Sequence, residues 1–414
     1  NNKVNIIFAT TTLAQGMNFP INTVIFDTVK IRKKGELSNA EFWNIAGRAG
    51  RAYKDKEGYI ILSYSATQKE TKAKVKKYIE ADLKEVISSL NTYFSGSNVI
   101  SLDYNVLKDP ENAPVLNLLQ YINHILNISY DYNIDAKDVA KIRGILTDSY
   151  LYHSLIRQEG YITAQRKLNT FVTQYIRHVN ENKKEDMAKA DELGISDISY
   201  TKVKSIIGAF IKNLKEKGDN EYKASEILLR TKNVSRLAEI ISIIAKIPEI
   251  KIEMLGKGDL DSESIAYLLM GWINGEKVKD IAKKIKRFGQ SNEEVISLCN
   301  RYLNSQMKSY MPWGMNIYQA VSFDLQTENA QMLPSYIYYG VSSKEAVIVS
   351  KLGVPRFAVD NVLNILKEQH SNIDISIENY KKLKNIIEKI PSDQYQINDV
   401  SGEVIKSIIH ERMK

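Results

Sequence analysis

The stretch Asn44-Ile45-Ala46-Gly47-Arg48-Ala49-Gly50-Arg51 sets two glycines three residues apart and two arginines three residues apart. Upstream, Ser38 is followed three residues later by Glu41, a capping-box spacing that starts a helix near Asn39. The stretch therefore falls on a helix, where each glycine costs about 1 kcal/mol relative to alanine. Two such costs within one turn call for a reason beyond folding. Arg48 and Arg51, at i and i+3, project from one face. Gly47 and Gly50 leave a bare edge beside them, where another backbone or a nucleotide can come close. Arginine keeps its charge at any physiological pH and offers a planar fork of donors to phosphate oxygens. Taken alone, the pattern also suits two surface arginines and a glycine at a helix C-terminus.

On either side of this helix lie apolar, β-branched runs. Residues 4–9 ("VNIIFA"), 23–27 ("TVIFD") and 59–64 ("YIILSY") read as strands. Strand, helix and strand within about 60 residues predict an α/β layout with parallel strands. Such a domain needs more than three strands, which places the others before residue 1. The chain also opens on Asn1-Asn2-Lys3 without an initiator Met, as expected of a piece of something longer. Directly after the first run comes Ala9-Thr10-Thr11-Thr12-Leu13-Ala14-Gln15-Gly16-Met17-Asn18-Phe19-Pro20. A strand that ends in hydroxyl residues and a glycine turn is where open α/β sheets bind ligands. Thr10, Thr11 and the free amides there suit phosphate oxygens, Gly16 admits a close backbone, and Asn18 offers both a donor and an acceptor. The same stretch also reads as a loop with capping threonines.

Bulk properties narrow the class. The 414 residues allow two to four domains, and the net charge of +8 permits a nucleic-acid partner without requiring one. Cys299 has no cysteine to pair with, and the five histidines show no zinc spacing. A reducing, cytoplasmic setting fits. No apolar run is long enough to span a membrane, and no signal peptide is expected.

From about residue 70 helical periodicity dominates. Patterns cover 71–93, 112–129, 136–157, 161–181, 199–217, 234–246, 262–273, 276–287, 291–310, 342–351, 356–369, 376–390 and 400–413, separated by Gly/Pro/Asn/Asp turn chemistry. The expected organisation is residues 1–69 as the end of an α/β lobe, 70–220 as a connecting helical region, 221–330 as a helical bundle and 331–414 as a C-terminal helical module.

The two glycine-bearing stretches, in this order and about 30 residues apart, resemble motifs V and VI of superfamily 2 helicases. The flavour is Ski2-like, where the motifs run close to "ATxTLAxGxNxP" and "QxAGRAGR". The resemblance implies an ATP site between two RecA-like lobes, with this chain supplying the second. It implies that Arg48 and Arg51 reach the γ-phosphate across the cleft, the role of arginine fingers. Asn18, Asn44, Gly47 and Gly50 would lie by the nucleotide, and Thr10, Thr11 and Gly16 by the nucleic-acid backbone. Asn44 departs from the pattern, which has Gln; a shorter amide reaches less far. The cofactors implied are ATP and Mg²⁺. No G-x-x-x-x-G-K-[ST] loop and no Asp-Glu box occurs in the chain, so the metal ligands are expected in the first lobe and the chain alone is expected to be inactive.

Ski2-like helicases continue into a winged helix, a ratchet bundle and sometimes a helix–hairpin–helix. Residues 268–282 ("LLMGWINGEKVKDIA") resemble the start of the ratchet bundle, which makes 291–310 the ratchet helix. Arg301 and Lys308 would then meet phosphates, and Trp313 would stack on a base; solvated helix charges and a core tryptophan are the alternatives. Gly340–Glu345 and Leu352-Gly353-Val354-Pro355-Arg356 resemble the terminal helix–hairpin–helix, with Ser342 and Glu345 as its capping box. Residues 66–200 match no clean winged helix and could carry a partner surface. The implied partners are single-stranded or partly duplex DNA or RNA, the upstream lobe, and an effector subunit. The Asn/Ile/Lys/Tyr-rich composition suits a low-GC organism, and by analogy a bacterial anti-phage helicase of the Hachiman type. Two other readings stay open: a non-catalytic helical module that binds nucleic acid or a protein, and a repair-type translocase with a nuclease elsewhere.

Overall fold

The computed structural model describes residues 22–26, 30–31, 35–37, 42, 45–46, 49, 58–63, 78, 94, 102–108, 113–130, 134, 136–250, 260–285, 291–370, 372–395 and 400–413. The chain forms two compact units, residues 1–88 and 89–414.

The first unit is α/β. Strand β1 (Thr23–Phe26) pairs in parallel with β4 (Tyr59–Leu62), in the register Thr23 to Tyr59 through Phe26 to Leu62. Between them a two-residue antiparallel ladder joins β2 (Lys30–Ile31) to β3 (Gly35–Glu36), a hairpin too short for any alternation in the sequence to announce. The parallel pair needs a crossover, and Phe42, Ile45 and Ala46 are its helical residues. Phe42 is buried between Phe26 and Tyr78, with ring centroids 4.8 and 4.7 Å away and both pairs stacked. The Tyr78 hydroxyl donates to the Leu37 carbonyl. Strands parallel across a helix agree with the sequence expectation; the expected strand at 4–9 lies outside the described residues.

The second unit is helical: α1 (Ala113–Tyr130), α2 (Ala136–Thr147), α3 (Tyr150–Glu159), α4 (Tyr161–Glu181), α5 (Lys184–Leu193), α6 (Asp197–Glu216), α7 (Val234–Ile244), α8 (Ser262–Ile273), α9 (Val278–Lys284), α10 (Asn292–Ser305), α11 (Tyr310–Ser322), α12 (Glu328–Tyr339), α13 (Lys344–Lys351), α14 (Val359–Gln369), α15 (Tyr380–Lys389) and α16 (Gly402–Met413). The expected pattern at 136–157 is two helices, because Ser149 turns the chain extended and its side chain accepts from the Tyr152 amide at 3.3 Å. The expected helix at 291–310 ends at Ser305. The N-cap before α13 is Ser343, which accepts from Ala346, one residue beyond the Ser342 of the expected box. Helices α11 and α12 fall on residues with no clear helical pattern in the sequence; α12 contains Pro334 and α11 contains Pro312 and Gly314, which blur the periodicity.

Helices α1–α5 close one core around Leu119, Leu168, Phe171 and Tyr175. A larger core runs without interruption from Ala190 to Met413, across the expected boundaries near 220 and 330. Helix α6 enters both: Ile198 packs in the first, Tyr200, Val203 and Ile207 in the second. Its first turn is fastened by buried carboxylates. Asp197 accepts from the Tyr175 hydroxyl at 3.0 Å and pairs with the His178 ring. Glu249 takes the Ser196 amide at 3.0 Å and the Ser196 hydroxyl at 2.8 Å. Negative charge at a helix N-terminus faces the positive end of the backbone dipole, which offsets part of the desolvation of these two groups.

A second polar fastening lies deeper. The Arg356 guanidinium sits 4.2 Å over the Trp272 ring. Its Nε donates to the carbonyls of Trp272 (3.0 Å) and Gly340 (2.9 Å), and Nη2 reaches those of Gly271 (3.3 Å) and Glu276 (3.1 Å). The Trp272 carbonyl lies in the last turn of α8 and the Gly340 carbonyl at the C-cap of α12, where no intrahelical donor exists; the Gly271 carbonyl also takes the Glu276 amide at 2.9 Å. Gly340, at φ +69°, has no room for a side chain: a Cβ would fall 2.4 Å from Trp272. Burial lowers the guanidinium pKa to about 10 while Asp360 and Glu276 pull it up, so the group is cationic at neutral pH. Arg356→Ala strands these carbonyls and is expected to lower the stability of the helical unit by about 2–4 kcal/mol. Arg356→Lys should recover only part, since an ammonium lacks the planar fork. Denaturant midpoints of the two variants check this; an unchanged midpoint for the alanine variant refutes it.

Candidate nucleotide and nucleic-acid interface

The glycine–arginine stretch starts on the helix that Phe42 anchors against β1, and Ile45 and Ala46 continue the packed stripe at i+3 and i+4. The Ala49 amide donates to the Ala46 carbonyl at 3.0 Å, so the chain is still turning there. Arg48, Arg51, Asn44, Gly47 and Gly50 lie outside the described residues, as do Thr10, Thr11, Gly16 and Asn18.

In the helical unit the three expected strand contacts fall on three different elements. Arg301 is on α10, partly exposed, its guanidinium 5.7 Å from the Tyr302 ring. Lys308 is exposed, but in the turn between α10 and α11 rather than on a helix continuous with Arg301. That is a correction of the expected single ratchet helix, and its cause is local: the Gln306 carbonyl takes the amides of Ser309, Tyr310 and Met311, closing the turn that separates α10 from α11. Trp313, in the first turn of α11, is partly buried and packs against the main core. Its Nε1 donates to the Leu193 carbonyl at 2.7 Å, and its ring lies 3.9 Å from where a Gly194 Cβ would stand. The next residue, Gly314, abuts Ile244 so closely that a Cβ would fall 2.2 Å from its Cγ2.

The expected hairpin at the C-terminal end has the right local form. Helix α13 ends at Leu352, Gly353 follows at φ +98°, and Pro355 leads through a short 3-10 turn into α14. The turn is covered, however. A Cβ on Gly353 would lie 3.2 Å from the main-chain carbon of Arg412 on α16. The neighbouring Arg356 points inward as described above. The stretch reads in sequence as a phosphate-binding turn, yet its glycine and its arginine serve packing.

Among the described residues, no three His, Cys, Asp or Glu side chains converge as a metal site, and no helix is long and apolar enough to cross a membrane. An open groove of about 470 Å³ runs between α6 and α7, with Phe210, Leu214 and Ile243 on its floor and Lys217, Arg236 and Lys246 at its edge. Arg236 is already paired there with Asp219 at 2.5 Å and with Glu239.

No protein-family model matches the chain. Curated relatives do. The Hachiman protein HamB of Bacillus cereus is 24% identical over 388 residues, covering 86% of this chain and 33% of HamB. "Helicase POLQ-like" of Caenorhabditis elegans is 34% identical over 109 residues, 26% of this chain and 11% of that protein. The antiviral helicase SKI2 of Saccharomyces cerevisiae is 40% identical over 62 residues, 14% of this chain and 5% of that protein. The chain thus spans about a third of the length of HamB. An α/β unit and a mostly helical one, combined with these similarities, make the chain similar to Ski2-like helicases. Within that class its likeness along most of its length is to the Hachiman protein HamB.

The double use of Arg356 was not legible in the sequence. The one signal was the unusual Pro-Arg after a helix-ending Gly, which marks a bend but names no partner. Trp313→Phe keeps an aromatic ring and removes the bond to Leu193. It is expected to cost about 1 kcal/mol, read as a lowered denaturant midpoint; an unchanged midpoint would mean that the bond does not hold α11 to the end of α5.

Proposed function

We propose that this chain is the C-terminal part of an ATP-dependent nucleic-acid helicase or translocase. In this reading the first unit is the end of the second RecA-like lobe and supplies motifs V and VI. The observation that carries it is the parallel β1–β4 pair, whose crossover helix leads straight into "NIAGRAGR". Arg48 and Arg51 stabilise the charge that spreads over the γ-phosphate during transfer. Asn18, Asn44, Gly47 and Gly50 line the nucleotide. Thr10, Thr11 and Gly16 couple it to the nucleic-acid backbone.

ATP brings the chemical energy, and Mg²⁺ is held by an upstream lobe that carries the phosphate loop and Asp-Glu box. This chain alone therefore turns over no ATP. The helical unit holds the strand, with Arg301 and Lys308 on phosphates and the exposed part of Trp313 beside a base. Each closure of the lobes advances a single strand of DNA or RNA. The likeness to HamB and to the antiviral helicase SKI2 supports an antiviral role; a cytoplasmic setting and an effector subunit as partner belong to the same proposal. The domain limits proposed are those expected from the sequence, 1–69, 70–220, 221–330 and 331–414.

The second reading, a non-catalytic helical module, is favoured by one observation: the covered Gly353 turn and the inward Arg356 are packing devices. The two readings separate on turnover. Arg51→Ala in the intact protein is expected to abolish nucleic-acid-stimulated ATP hydrolysis while leaving strand binding within a few fold. A variant with full turnover removes the finger assignment, and an unmodified intact protein without ATPase activity favours the module.

A further inference from the structure

Helices α3 and α4 form a hairpin joined by one residue, Gly160, at φ +83°. Its tip exposes two adjacent apolar side chains, Tyr161 at 57% and Ile162 at 72%. Single exposed apolar residues are ordinary; a neighbouring pair at a rigid, projecting tip is less so. The tip is rigid for identifiable reasons. Tyr161 stands T-shaped against the buried Tyr152, 6.5 Å between centroids. Behind it, Lys167 bonds Glu159 at 2.9 Å and the Phe94 carbonyl at 2.5 Å.

The charge around the tip is one-sided. Residues 161–180 contain no Asp or Glu, and Glu159 of α3 is already matched by Lys167. From Ile162 an exposed stripe runs along α4 through Arg166, Thr170, Thr173 and Arg177, at spacings of three and four residues. The opposite face, Ala164, Leu168, Phe171, Val172, Tyr175 and Val179, is buried in the core. So the fold uses one side of α4 completely and leaves on the other a basic track, from Arg177 to Arg166, that ends in an aromatic and a β-branched side chain; the one acidic side chain of α4, Glu181, lies at the far end, four residues beyond Arg177. Arg166 and Arg177 stand about 16 Å apart along the axis at 1.5 Å per residue. That is the reach of about five stacked nucleotides at 3.4 Å each.

We propose that this face of α4 and the hairpin tip bind a single-stranded segment of nucleic acid, with Tyr161 stacking on a base, Ile162 wedged beside it, and Arg166 and Arg177 on phosphates. This rests on the reading of the chain as acting on nucleic acid, and it adds a second contact surface, outside the ratchet-like region. A protein partner is the less favoured occupant, because two arginines on one face paired with an exposed aromatic match the combination of stacking platform and cationic track that single strands use.

The test uses the full chain and a fluorescently labelled 20-nucleotide oligothymidylate, with affinity measured by anisotropy across a salt series. The Tyr161→Ala/Ile162→Ala pair is expected to weaken binding about ten-fold, whereas Tyr161→Phe retains it. The Arg166→Gln/Arg177→Gln pair is expected to lower the slope of log affinity against log salt by about 1.4, the contribution of two phosphates; the corresponding lysine pair retains the slope. All four positions are exposed, and unchanged thermal melting verifies folding. Variants that match the unmodified chain in affinity and slope overturn the proposal and leave the helicase reading intact. The proposal falls in the same way if they keep strand binding but lose a co-purifying protein. An unmodified chain that binds no strand overturns both.

Discussion

One guanidinium group determines how the C-terminal half of the helical unit is assembled. Arg356 lies where α8 and α12 both end, and it donates to carbonyls at 271, 272, 276 and 340, of which those of Trp272 and Gly340 stand at helix ends without an intrahelical donor. Two helix C-termini brought together would repel, since each carries the negative end of a dipole. A buried cation between them turns that repulsion into attraction. Trp272 completes the seat: its ring faces the guanidinium and its Nε1 donates to the Ile337 carbonyl at 2.8 Å. Gly340 is needed because the left-handed turn and the indole together leave no space for a Cβ. These constraints explain why "LGVPR" looks like a ligand turn in sequence and acts as a clasp in the fold.

The same logic recurs with the opposite charge. Asp197 and Glu249 hold the start of α6, the helix that belongs to both cores. Asp324, buried after α11, accepts from the amide and hydroxyl of Ser225 at 2.9 and 2.6 Å. Glu249 and Asp324 take backbone amides at helix starts, those of Ser196 and Ser225, while Asp197 ties α6 to the side chains of Tyr175 and His178 on α4. Apolar side chains supply most of the stabilisation, but these polar clasps specify which helix end meets which. One hydrophobic cluster runs through the helical unit from Ala190 to Met413.

Function, in the reading proposed here, is divided between the two units. Among the described residues of the α/β unit, Phe26, Leu37, Phe42, Ala46 and Tyr78 form a core that packs the helical residues Phe42 and Ala46 against β1. The helical unit offers exposed basic surface away from its clasps, on Arg301 and Lys308 and, more continuously, along α4. A surface that a moving strand can use must hold phosphates loosely and at several places. A buried, fully bonded arginine such as Arg356 cannot serve in that way, whereas solvated ones can.

The sequence by itself determined what depends on neighbours within a few residues. The strands at 23–26 and 59–62, the helices 161–181 and 262–273, and the helix-ending glycines at 194 and 353 follow from periodicity and turn chemistry. The motif pair around Gly16 and Arg51 is local in the same sense, and its spacing resembles that of helicase motifs. The tertiary structure decided everything that joins distant residues. It broke the 136–157 pattern at Ser149, where a side chain captured an amide, and it ended α10 at Ser305, where one carbonyl took three. It also sent Trp313 to Leu193 and Arg356 to four carbonyls about 16 to 85 residues away. Periodicity records which side of a helix is apolar because that is a local property. A buried charge chooses its partner from whichever orphaned groups the packing delivers, and no local pattern encodes that choice.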